Sequence, residues 1–97
     1  MPQKLSMPMV SILNWFLDRP TQETWSEELD QQLRYRRSVI SKALSDLEKL
    51  GWLKKEMKES PKLGPPRAYF RLTTRGLREG REEMKRIFPT LYKDSRR

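Results

Sequence analysis

Apolar positions along this chain fall into four helical patterns and one alternating pattern. In "PMVSILNWFLD", Met9, Val10, Ile12, Leu13, Phe16 and Leu17 recur at spacings of three and four, which predicts a helix apolar around much of its circumference. Asp18-Arg19-Pro20 ends it, because proline disfavours helical geometry in the residue before it. In "TWSEELDQQL", Thr24 and Glu27 have the spacing of a capping box, and Trp25, Leu29 and Leu33 follow at steps of four, predicting a short second helix. After "RYRR", Val39, Ile40, Ala43, Leu44, Leu47 and Leu50 recur at three and four. This third helix stops at Gly51, the residue type that most readily takes the left-handed conformation at a helix end.

Past Gly51 the period changes. "WLKKEMKES" alternates imperfectly, "SPKLGPP" supplies turn residues, and "RAYFRL" sets Ala68, Phe70 and Leu72 against Tyr69 and Arg71. Together these predict a β-hairpin with a long tip. Thr73 then opens a fourth helix in which Leu77, Gly80, Met84, Ile87 and Leu91 are spaced three, four, three and four, like the seam of a coiled coil. The helix is expected to reach about Ile87, with a kink or restart at Pro89 and a basic tail from Lys93.

Ninety-seven residues, of which 35% are charged and 35% hydrophobic, leave room for one compact domain with a small core. Self-association would enlarge that core, and the seam Leu77, Gly80, Met84, Ile87 is the expected place, with Trp15 directed toward the same partner. The other expectation for Trp15, Trp25 and Trp52 is that they anchor the core.

The chain has no cysteine and no histidine, so no disulfide and none of the usual transition-metal sites is expected, and no cofactor is called for. Catalysis would have to rest on carboxylates, tyrosine or a serine with lysine; Ser38 and Lys42 are four apart, but nothing in the pattern encloses them. No run of 18 apolar residues and no apolar segment behind a basic start is present, so neither a membrane span nor a signal peptide is expected, and the expected address is cytoplasmic.

The net charge of +8 is unevenly placed. Residues 1–31 hold 2 basic and 5 acidic side chains, whereas residues 32–97 hold 19 basic and 8 acidic. The larger part is therefore the one suited to a polyanion.

Helix, helix, turn, helix, hairpin, helix is the order of a winged helix-turn-helix domain, an α+β but mainly α fold of three helices, a two-stranded wing and a C-terminal helix. That order places the charge. Arg34, Arg36 and Arg37 crowd the start of the third helix, with Tyr35 turned to the core. With Val39, Ile40, Ala43, Leu44 and Leu47 inward, Ser38, Ser41, Lys42, Ser45, Asp46 and Lys49 point outward. Short serines let the helix backbone approach base edges, Arg37 and Lys42 are placed to reach guanine, and Arg34 and Arg36 to hold phosphates. Lys54, Lys55, Lys58, Lys62 and Arg67 lie on or near the wing, where a basic tip suits the DNA backbone or minor groove; Lys62 and Arg67 are the expected contacts. The basic residues of the fourth helix alternate with Glu79, Glu82 and Glu83 and read as a solvated, salt-bridged face.

"LEKLGWL", Leu47 to Leu53, and the wing's return, Gly64-Pro-Pro-Arg67 with Tyr69-Phe-Arg-Leu-Thr73 and Gly76, resemble the PadR family of bacterial winged-helix transcription regulators. The likeness covers about residues 10–86. With the residue pattern, the chain divides into about 7–72 as helix-turn-helix core and wing, 73–92 as a dimerisation helix and 93–97 as a basic tail. The likeness also implies a homodimer that represses by binding palindromic operators in double-stranded DNA through the third helix and wing. Ser41 stands where the family commonly has a tyrosine that touches the DNA backbone. Inducers vary across the family, so no small-molecule site carries over. The competing expectations are a winged-helix module that binds protein and an accessory DNA-binding factor of a plasmid or phage.

Overall fold

A computed structural model describes residues 5–59 and 64–88. Helix α1 spans Met7–Asp18; the Ser6 hydroxyl accepts from the Met9 amide at 3.4 Å, and Pro8 sits in the first turn, where its missing N–H costs nothing. Met9, Val10, Ile12, Leu13 and Phe16 are buried, and α1 packs on the helices that follow.

Thr24 does not cap a helix. Thr24 and Trp25 form a short strand, β1, and helix α2 runs Ser26–Leu33 with Trp25 at its N-cap and no side-chain cap bond. A β-branched residue and an aromatic suit a strand. Here Thr24 is 1% exposed, its hydroxyl accepting from the Trp15 indole N–H at 3.1 Å. Glu27, expected to complete the capping box, instead reaches across to the third helix.

Helix α2 ends on Arg34, the only non-glycine residue among those described with positive φ, at 60°. Helix α3, Arg37–Lys49, buries Ile40, Ala43, Leu44 and Leu47. Its end is closed by Gly51 at φ 81°, with the Gly51 amide donating to Glu48 O at 2.9 Å and the Trp52 amide to Leu47 O at 3.1 Å. This double bond pattern satisfies two carbonyls of the last turn. Tyr35, in the connection, packs on the core and shares a hydrogen bond of 3.4 Å with Ser11.

The hairpin consists of β2, Leu53–Lys58, and β3, Arg67–Leu72, paired antiparallel from Leu53 with Leu72 to Lys58 with Arg67. β1 adds to the far side of β3, with Thr24 opposite Phe70 and Trp25 opposite Tyr69, so the sheet has three strands in the order β1-β3-β2. Only Leu53 of β2 is buried, which makes the distal hairpin a projection from the core.

After β3 the chain turns on Thr73. Its amide donates to Trp52 O at 2.9 Å, its hydroxyl donates to Gly51 O at 2.6 Å, and the same hydroxyl accepts from the Gly76 amide at 2.8 Å. A π-helical turn over Gly76–Gly80 leads into helix α4, Arg81–Ile87. The Trp52 indole donates to Glu79 at 3.0 Å, and Arg75 donates to the same oxygen at 3.1 Å. The end of α3 and the start of the C-terminal helix are thus tied by side chains as well as by backbone. Pro89, Leu91 and the tail from Lys93 lie outside the described residues.

Candidate nucleic-acid interface

On α3, the apolar spacing that buries Ile40, Ala43, Leu44 and Leu47 leaves Ser38, Ser41, Lys42, Ser45 and Lys49 exposed. The serines are flanked by Arg34 and Arg36, both exposed and without an ion pair among the described residues. Lys42 pairs along the helix with Asp46 at 3.3 Å, but its side chain is 80% exposed and free to leave that partner.

Arg37 is engaged differently from the sequence expectation. Its Nη2 lies 2.6 Å from Glu27 and its Nε 3.4 Å from Asp30, two carboxylates one turn apart on α2. Hydrogen bonding to Glu27, and then the charge of Glu27, raise its pKa above the usual arginine value by favouring the cation. The guanidinium is anchored to α2, and only its unused N–H groups are available to a ligand.

Arg67 is likewise not an open cation. Its guanidinium lies 3.8 Å over the Trp25 ring, and Lys58 pairs with Glu23 at 2.5 Å while lying 5.5 Å over the Tyr69 ring. The contacts with Trp25 and Glu23 join the wing to β1 and the residue before it. Lys54 and Lys55 are exposed, and Lys62 lies outside the described residues.

The structure brings Arg37 and Arg67 into the walls of one groove, between the start of α3 and the returning strand, with Glu27, Met57 and Pro66 also lining it. Lys42 and Asp46 instead face a separate groove toward Pro8 and Met9 of α1. Sequence reading missed Glu23, Trp25, Glu27 and Asp30 as partners of these cations. The spacing of Glu27 and Asp30, which places them on one helix face, was the available signal.

The seam residues also have other neighbours. Met84 is 1% exposed in the chain's own core, and a Cβ at Gly80 would lie 2.9 Å from Leu13 Cδ1 of α1. Leu77 and Ile87 pack partly against the same core. Trp15 is held by Thr24 and by Arg19, whose guanidinium lies 3.7 Å over its ring. A three-four seam suits a helix of the same chain as well as a partner's, and α1 occupies it.

No protein-family model matches the sequence, and no curated protein matches it. Solved structures do. A transcriptional regulator homologue from Pyrococcus horikoshii aligns with a TM-score of 0.71 at 16% identity, covering 86% of this chain and 78% of that one. A PadR family transcription regulator from Clostridium difficile gives 0.65 at 19% identity, covering 91% and 97%. The adhesin competence repressor from Streptococcus pyogenes gives 0.67 at 24% identity, covering 97% of this chain and 66% of that chain. Together with the helix order, the sheet and the tied C-terminal helix, these likenesses show a winged helix-turn-helix fold.

Proposed function

We propose that the protein is a transcription regulator that binds double-stranded DNA as a homodimer, with α3 in the major groove and the wing along the backbone. The observation that carries this reading is the exposed face of α3, where Ser38, Ser41 and Ser45 present short hydroxyls between Arg34 and Arg36 at one end and Lys49 at the other. Small polar side chains let a helix approach base edges, while the flanking cations meet phosphates. Repression of a promoter through a palindromic site, in the cytoplasm, follows the PadR resemblance. No helix among the described residues is long and apolar enough to cross a membrane.

Selection of bound sequences from a random duplex pool, at stated salt, tests this reading. An enriched palindrome with half-sites about 34 Å apart, or a multiple, is the expected result for two reading helices in successive grooves. Absence of any enriched sequence would transfer the fold to a protein-binding role. Within the interface, Lys42→Ala is expected to weaken the selected site about 10- to 100-fold and random duplex far less. Arg36→Ala is expected to weaken both alike and to flatten the salt dependence by about one unit of slope.

A further inference from the structure

Arg37 is the first residue of α3, at the end that enters DNA on the reading above, yet its guanidinium is bound to two carboxylates. Two explanations compete. Either the acidic pair withdraws Arg37 from DNA, or it aims Arg37 at DNA. Geometry favours aim: the arginine side chain stays 60% exposed, and its ion pairs lie on the Nε and Nη2 side, leaving Nη1 without an ion pair. A withdrawn arginine would be covered; this one lines the open groove between the start of α3 and the wing.

We propose that Glu27 and Asp30 are positioning residues that set sequence discrimination, holding the Arg37 fork at a fixed angle for a base edge while keeping negative charge beside the phosphates. This rests on the DNA-binding reading. Two physical effects follow from this placement. A guanidinium held between two carboxylates loses little further freedom when the rest of the fork meets an acceptor pair, so a well-placed base is favoured. The carboxylates repel every phosphate regardless of sequence, which subtracts from non-specific attraction. Discrimination, the ratio of the two affinities, gains from the first; the second falls on every duplex alike and lowers affinity without changing that ratio.

Glu27→Gln and Asp30→Asn keep shape and hydrogen-bonding capacity but remove charge. Binding of each is measured on the selected site and on random duplex at one salt concentration, beside Arg37→Ala, with thermal melts establishing that the variants fold. For Glu27→Gln the expected result is a rise in random-duplex affinity on the order of threefold. Preference is expected to fall about tenfold, confined to the base positions that Arg37→Ala also relaxes. A uniform loss on both duplexes, unchanged discrimination, or a gain on the selected site as large as that on random duplex would each overturn the inference, the last by showing withdrawal. If the wild-type chain selects no sequence at all, it is the DNA-binding reading that fails.

Discussion

A methyl group added at position 76 would place its Cβ 2.2 Å from the Trp52 carbonyl oxygen, and backbone on both sides prevents easy relief. Gly76→Ala is therefore expected to destabilise the fold by at least about 2 kcal/mol, read as a lower urea midpoint. The same contact explains why glycine follows Thr73 at that interval: Thr73 bonds both Gly51 and Gly76, so two distant segments must meet without side chains between them. Spacing identified Thr73 as a helix start, but its second bond, back to Gly51, depends on the hairpin folding over. Arg37 shows the opposite case. Its place on α3 was legible from periodicity, whereas its aim depends on how α2 packs beside it, which periodicity does not encode.

Among the elements, α3 was the most legible because burial, spacing and the stop at Gly51 agree. β1 was not, since two residues carry no period and its strand character comes from pairing with β3. The tie between α3 and the C-terminal helix carries its own pH dependence. The Trp52 indole, and then Arg75, hold the Glu79 carboxyl below the usual carboxylate range by favouring its charged form. A carboxyl whose pKa is lower folded than unfolded contributes stability above its unfolded value of about 4.3, and that contribution disappears as pH falls through the folded value. Glu79→Gln is thus expected to be less stable than wild type at neutral pH and to converge with it in acid, in paired urea titrations at about pH 7 and about pH 3. A constant gap would show that the bond rather than the charge stabilises the tie.

For the whole molecule, the C-terminal helix is first an internal support. Met84→Asp buries a charge where α1 and α4 meet, and is expected to cost about 4 kcal/mol and lower the melting temperature in circular dichroism. Dissociation to a folded half-mass species in sedimentation, with the melt unchanged, would instead place Met84 between subunits. A homodimer built through this helix would have to use the surface left outside the seam, where Arg78, Arg81, Glu82 and Lys85 line a shallow groove beside Leu77. Which surface that is depends on the π-helical turn over Gly76–Gly80, since such a turn carries one residue more than an α-helical one. Each residue turns a helix by about 100°. A single-codon deletion in that turn, matched by a re-spaced α4 seam, would point a different face of the C-terminal helix outward while leaving the α3 face unaltered. Partner choice and DNA reading would then be separately evolvable within one short chain.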